Sequence, residues 1–222
     1  PGVRELNSLR PLKLMEVTRK ALSGVVKERV RQVLEERLLL RWLQHGFRSG
    51  RSTATLGLWL LAAIESACEQ GADLHLLSLD IRKAYDSVTR PIGIEMSLRR
   101  LGVPVEVVEL FMEMERGSVN RVKTEWDACL EGSWGFEAEI GFSQGSAEAP
   151  LWWIAFFDMI LTELEHLGVG GDVVIEAGAA EGVGGGLGAF ADDTNILAHS
   201  AERLERDAEL TARTMRLFGL EI

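Results

Sequence analysis

Leu187-Gly-Ala-Phe-Ala-Asp192-Asp193-Thr-Asn-Ile-Leu-Ala198 places two adjacent carboxylates between two short apolar runs. Leu187 to Ala191 and Thr194 to Ala198 read as strands, so the spacing predicts a hairpin with Asp192 and Asp193 at its tip, where a two-residue turn containing Asp is sterically allowed. Neighbouring anions repel, and the pair costs free energy unless a cation neutralises it. Hard oxygen donors of this kind suit magnesium, which takes one or two carboxylates together with substrate phosphates and water. A bare Asp-Asp dipeptide is more often a solvated loop, so a second acidic position has to decide.

That position lies upstream, in Leu74-His-Leu-Leu-Ser-Leu-Asp80-Ile-Arg-Lys-Ala-Tyr85-Asp86-Ser-Val. Leu74, Leu76, Leu77 and Leu79 predict a buried strand, and a carboxylate at its end is desolvated unless something pairs with it. Taken alone, Asp80 reads as well as a strand-end cap. If this strand lies beside the hairpin, Asp80, Asp192 and Asp193 converge. Three carboxylates can then hold two magnesium ions about 3.5–4 Å apart for in-line phosphoryl transfer to a 3′-hydroxyl.

The run Leu79-Asp80-Ile-Arg-Lys-Ala-Tyr85-Asp86-Ser-Val resembles the first catalytic motif of reverse transcriptases, and Phe190-Ala-Asp192-Asp193 resembles their aromatic-x-Asp-Asp box. Gln44-His-Gly-Phe-Arg48-Ser-Gly-Arg51-Ser-Thr53 is similar to the finger motif of the non-LTR retrotransposon and group II intron branch. Gly141-Phe-Ser-Gln144-Gly145-Ser-Ala-Glu-Ala-Pro150 is similar to the Gly-x-x-Gln-Gly-x-x-x-Ser-Pro motif that starts a palm helix, and Arg10-Pro-Leu resembles the preceding finger strand. Five motifs in order span essentially the whole chain. Ala149 stands where the family usually has Ser, and Phe142-Ser143 replaces the usual Val-Pro, which marks an outlying branch without removing a carboxylate.

The resemblance implies an α+β fold: a polymerase palm, with a small antiparallel sheet backed by helices, carrying partial helical fingers. It divides the chain into partial fingers over 1–70 and palm over 71–222, with interleaving of fingers elements allowed and a thumb beyond. It implies RNA-templated DNA synthesis with Asp80, Asp192 and Asp193 as catalytic acids. The same three, with the Ile81 carbonyl, would ligate two Mg2+ ions, with Mn2+ as an alternative. Tyr85 would be the gate whose ring excludes a ribose 2′-hydroxyl, Gln144 and Gly145 would approach the incoming nucleotide, and Arg10 would clamp its triphosphate. Arg48 and Arg51 would contact nucleic-acid phosphates. Implied partners are an RNA template, a DNA primer, deoxynucleoside triphosphates and the remainder of the polypeptide, thumb and flanking domains included.

The alternative readings are a group II intron-type enzyme with maturase function, a viral-type RNA-dependent RNA polymerase and a non-catalytic domesticated scaffold. Phe190-Ala-Asp-Asp and Gln144-Gly145 argue against the viral type, in which Gly-Asp-Asp would be expected.

Composition agrees, with one complication. The 222 residues are 46% hydrophobic, enough for a substantial core, but the net charge is −10, unexpected for a nucleic-acid enzyme. Residues 1–52 hold 12 Lys or Arg against 5 Asp or Glu, giving +7, while 53–222 hold 12 against 29, giving −17. The basic half is therefore the fingers half. With no thumb, affinity for nucleic acid should be poor. A start at Pro1 and a stop at Ile222 read as an excerpt of a longer polypeptide. No run of 18 or more apolar residues and no signal-peptide pattern occurs, which predicts no membrane partner and an intracellular location: nuclear for a eukaryotic retrotransposon, cytoplasmic for a bacterial source.

Cys68, Cys129 and the four histidines His45, His75, His166 and His199 are too scattered for a zinc site or a disulfide framework. The Gly182–Gly188 stretch precedes a strand, whereas a dinucleotide loop follows one and opens a helix, so it reads as a palm loop. Periodicity predicts helices over Leu12–Leu43, Thr53–Glu69 with Ser52 or Thr53 as N-cap, Pro91–Arg100, Val105–Arg116, Ser146–His166 and Ala201–Phe218. It predicts a hairpin from Val119–Trp126 and Trp134–Ile140, and a strand at Val173–Ile175 joining the 187–198 hairpin in the sheet. The aromatic residues of Ser146–His166 read as palm core.

Overall fold

The computed structural model describes residues 15–116, 119–120, 136–137, 140–142, 145–175 and 185–222. The sequence-based expectations at Arg10, Gln144 and Cys129, the Gly182–Gly184 portion of the palm loop, and most of the 119–140 hairpin lie outside these residues.

Helices α1 (Val17–Glu36) and α2 (Thr53–Gln70) come first, followed by strand β1 (His75–Leu79) and the single turn α3 (Ala84–Ser87). A π-helical segment at Pro91–Met96 continues into α4 (Ser97–Arg100), and α5 (Val105–Glu115) follows. Short strands β2 (Val119–Asn120) and β3 (Phe136–Glu137) pair antiparallel. Helix α6 (Ala149–His166), strands β4 (Leu187–Phe190) and β5 (Asp193–Ala198) and helix α7 (Ala201–Leu217) complete the order. The first helix stops at Glu36 rather than running to Leu43, because the backbone turns left-handed at Leu38 (φ 52°) and leaves the helical path. The second ends on Gly71 (φ 63°), the residue type that adopts this C-terminal conformation at least cost.

The sheet has the order β1-β5-β4, all antiparallel, with Leu79 opposite Thr194 and Phe190 opposite Asp193. β5 is central and covered on both faces. Ile196 belongs to the main core, which gathers Trp152, Trp153, Phe156 and Phe157 of α6 with Leu187 and Ala189 of β4. Leu197 belongs to a second core against Trp59 and Ala63 of α2. A strand covered on both sides has no reason to alternate, which accounts for the unbroken Ile196-Leu197-Ala198 run. β1 is different: Leu76 remains half exposed, so its apolar run is not buried on both faces as predicted.

Two further departures concern the edges of the sheet. Val173–Ile175 does not pair into it; the segment packs beside α2, where Ser66 Oγ donates to Val174 O. The edge of β4 that it would have occupied is taken by residues 43–45, which run parallel to it: Ala189 N donates to Leu43 O at 2.9 Å and His45 N donates to Ala189 O at 2.7 Å. The segment carrying Gln44 to Thr53 is thus fused to the edge of the sheet. The observed architecture is α+β, a small antiparallel sheet backed by helices.

Candidate active site

Antiparallel pairing decides which residues share the end of the sheet. Beyond Leu79 and Thr194 the next residues are Asp80, directly after β1, and Asp193, the first of β5, so both stand at the same end of the sheet. Pairing of Phe190 with Asp193 leaves Ala191 and Asp192 as the two-residue loop. The tip is therefore Ala191-Asp192, one position earlier than the predicted Asp192-Asp193, and Asp193 is the first residue of β5. The positive φ required by a tight hairpin falls on Ala191 (φ 56°). For a residue with a Cβ this costs about 1–2 kcal/mol, which the surroundings must offset.

Asp80 and Asp193 are exposed and Asp192 is half-buried. Their backbones converge, but the side chains are not folded into one ligand set: among the described residues no group of three His, Cys, Asp or Glu side chains is arranged to hold an ion. Repulsion between like charges favours such a spread arrangement. The donors are hard carboxylate oxygens on rotatable, accessible side chains, a set chemically suited to magnesium. The backbone of Ile81, whose side chain is buried, directly follows Asp80.

Tyr85 stands on α3 beside this end of the sheet. Burial, and secondarily the negative charge of Asp192, push its hydroxyl pKa well above the usual phenol value. The phenol stays protonated and senses Asp192 directly. Its ring stacks on Trp153 with centroids 5.1 Å apart and planes 17° from parallel, and meets Phe142 edge-on at 6.2 Å. The segment Gly141–Phe142 runs against the same turn: Phe142 N donates to Tyr85 O at 2.7 Å and Gly141 N to Val88 O at 2.9 Å. Gly141 (φ 89°) adopts a left-handed conformation that favours glycine, and a Cβ there would sit a tight 3.1 Å from the Asp86 Cα. Gly145 follows, exposed and also left-handed (φ 99°).

The support beneath the acidic turn comes from residues to which the sequence assigned no role in the site. Gln44 Oε1 accepts from Ala191 N at 2.9 Å and from Gly46 N at 2.7 Å, while its Nε2 donates to Ala191 O at 3.0 Å. The Trp153 indole Nε1 donates to the same carbonyl at 2.9 Å. Gln44 was visible in a quoted motif and Trp153 in the palm helix. The available signal was that a buried indole N–H needs a partner.

Gly46 lets this contact form, because a Cβ there would meet Ala191 N at 2.2 Å. Gly46→Ala must therefore displace backbone, and is expected to lower unfolding stability by about 3 kcal/mol, measurable by urea titration.

His45 follows Gln44 and is buried, with Nδ1 2.8 Å from Thr55 Oγ1. Burial first, then the charges of Arg51 and Arg48, lower its pKa from 6.5 to about 4. The folded state therefore keeps His45 neutral where the unfolded chain takes up a proton. The stability that depends on neutral His45 is complete above pH 6.5 and is lost as the pH falls towards 4. Urea unfolding of the wild type at pH 7 and pH 5 should differ by about 2 kcal/mol from this group, and His45→Asn should remove that part of the difference.

The two finger-motif arginines point inward. Arg48 is buried and pairs with Glu35, Nη2 to Oε2 at 2.7 Å, and its Nη1 donates to Arg41 O. Arg51 donates to the carbonyls of Trp42 and Gln44. Through these bonds both guanidiniums hold residues 41–44 in place.

Across residues 2–222 the sequence matches the family model described as reverse transcriptase (RNA-dependent DNA polymerase). It is 27% identical over 223 residues to the Retrovirus-related Pol polyprotein from type-1 retrotransposable element R2 of Nasonia vitripennis, an alignment covering 100% of this chain and 20% of that protein. The chain thus spans about a fifth of the length of this relative. Its fold is similar to solved telomerase structures. Telomerase from Candida albicans superposes with a TM-score of 0.61 at 9% identity, covering 93% of this chain and 33% of that one. Apo telomerase from Candida tropicalis, truncated from its C-terminal domain, gives a TM-score of 0.61 at 11% identity, covering 90% and 38% respectively. With the motifs, the sheet register and the family match in agreement, the chain belongs to the reverse transcriptase (RNA-dependent DNA polymerase) family.

Proposed function

We propose that this chain carries the nucleotidyl-transfer centre of an RNA-templated DNA polymerase of the non-LTR retrotransposon type. The observation that carries the reading is the β1–β5 register, which sets Asp80 next to Asp193 at the hairpin bearing Asp192. Reverse transcriptases are in general metal-dependent enzymes with nucleic-acid partners. Here Asp80, Asp192, Asp193 and the Ile81 carbonyl would hold two Mg2+ ions, or Mn2+ in their place. The chemistry such ions would supply when bound is activation of the primer 3′-hydroxyl and stabilisation of the leaving pyrophosphate.

The chain's own residues do the positioning. Tyr85, fixed by its stack on Trp153, is the wall against which the sugar of the incoming nucleotide lies, and its ring takes the space of a 2′-hydroxyl. Gly145, free of a side chain, allows close backbone approach by the substrate, with Gln144 beside it in sequence. Arg10 is the candidate triphosphate clamp. The structure offers no such support for Arg48 and Arg51, whose guanidiniums are engaged internally, and their contribution is to brace the segment behind the acidic turn. The RNA template, DNA primer, deoxynucleoside triphosphates, and the thumb and flanking domains of the polypeptide are the proposed partners. No helix among the described residues is long and apolar enough to cross a membrane. The proposed place of action is intracellular: the nucleus for a eukaryotic retrotransposon, the cytoplasm for a bacterial element.

Primer extension by the full-length polypeptide tests the reading. Extension of a DNA primer on an RNA template should stop on chelation and return with magnesium or manganese, and millimolar magnesium should raise the thermal midpoint of the protein. No extension under any metal, with a thermal midpoint unmoved by magnesium, would reject it.

A further inference from the structure

We propose that Gln44 and Trp153 are positioning residues for the reaction: together they hold Ala191 left-handed and set Asp192 and Asp193 at a defined place relative to Tyr85. This rests on the reading of the three aspartates as the catalytic acids.

The argument begins with completeness. Ala191 is a loop residue without a strand partner, yet both its backbone groups are bonded by one side chain 147 positions away, Gln44, 1% exposed. The orientation of that amide is unambiguous, because its oxygen faces two N–H donors and its nitrogen faces a carbonyl; the flipped amide would oppose like to like. The carbonyl takes a second bond from the Trp153 indole, which is 0% exposed. A backbone in a sparsely populated conformation persists when its surroundings over-determine it, and here three hydrogen bonds and the close approach of Gly46 converge on one residue.

The second step concerns what Trp153 touches. The edge of the indole bonds the turn, one face stacks on Tyr85 at 5.1 Å, and the ring also stacks on Phe157 at 5.3 Å. A single rigid ring packed in the core therefore contacts both the turn that carries the acids and the residue that walls the sugar site. Placement of catalytic groups to within a fraction of an ångström governs rate far more than ground-state binding, so loosening this contact should lower kcat and leave KM nearly intact.

The test uses the full-length polypeptide. Gln44→Leu removes all three amide bonds at similar volume. It is expected to lower kcat by about 10- to 100-fold with the deoxynucleotide KM changed by less than about 3-fold. Amide hydrogen exchange of residues 189–195 should accelerate, while α6 exchanges as in the wild type. Trp153→Phe keeps a ring on Tyr85 and loses one donor, so it should give a smaller fall in kcat and a smaller local change in exchange. Unchanged kcat and unchanged exchange at 189–195 would overturn the proposal. So would acceleration spread evenly over the chain, because Gln44 would then serve the fold alone. Should Gln44→Leu not fold, Gln44→Met, which likewise removes the amide bonds but keeps an unbranched side chain of similar length, decides together with Trp153→Phe; failure of all three to fold also overturns it. A parallel Asp192→Asn arm separates the two readings. If that variant polymerises normally the catalytic assignment fails, whereas the exchange result stands or falls independently of chemistry.

Discussion

Asp80→Asn is expected to abolish incorporation of both deoxynucleotides and ribonucleotides, by on the order of 1,000-fold or more, while leaving the fold intact. A ligand that neutralises developing charge is worth several kcal/mol in the transition state, and each 1.4 kcal/mol is a factor of ten. The stability side follows from exposure. Asp80 stands outside the core, so exchanging one carboxylate oxygen for an amide should move unfolding free energy by no more than about 0.5 kcal/mol, and relief of repulsion from Asp193 makes a slight increase the expected sign. Single-turnover primer extension and urea unfolding on the same preparation check both halves. A variant that retains a tenth or more of wild-type activity would remove Asp80 from the catalytic set and with it the argument from sheet register.

Tyr85→Ala should have a different signature. Opening the space of the ring is expected to raise ribonucleotide over deoxynucleotide incorporation by roughly 10- to 1,000-fold, about 1.4–4 kcal/mol of lost discrimination. The structure adds a cost that the motif did not reveal. The ring stacks on Trp153 and meets Phe142 edge-on, so its loss should also destabilise the fold by about 2–4 kcal/mol. Tyr85→Phe is the control: it retains both ring contacts and should leave the ratio nearly unchanged, because the phenol is un-ionised and its ring is the steric element. Competition assays with paired nucleotides read the ratio directly. If Tyr85→Ala lost both activities in equal measure, the ring would be core packing and no gate.

What the sequence determined by itself was local or periodic. The hairpin was legible from two apolar runs around Asp192-Asp193, and β1 from Leu74 to Leu79. The main helices were legible from amphipathic spacing. Motif order was enough to single out Asp80, Asp192 and Asp193 as the candidate acids, because chemistry requires those residue types wherever the fold places them. Tertiary structure decided the rest. Sequence could not say whether the turn was Asp192-Asp193 or Ala191-Asp192, since that is set by the pairing of Phe190 with Asp193, and a one-residue change in register is invisible to a two-residue period. It could not show that residues 43–45, rather than Val173–Ile175, complete the edge of β4, because a short apolar segment satisfies any free edge and competition between edges is settled by packing. Nor could it show where Arg48 spends its charge: a lone arginine matches a phosphate as well as Glu35 until the chain brings one of them to 2.7 Å. The bonds from Gln44 and Trp153 to Ala191 span 147 and 38 positions, and such partners are chosen by the folded backbone, which alone puts these buried donors opposite the Ala191 carbonyl.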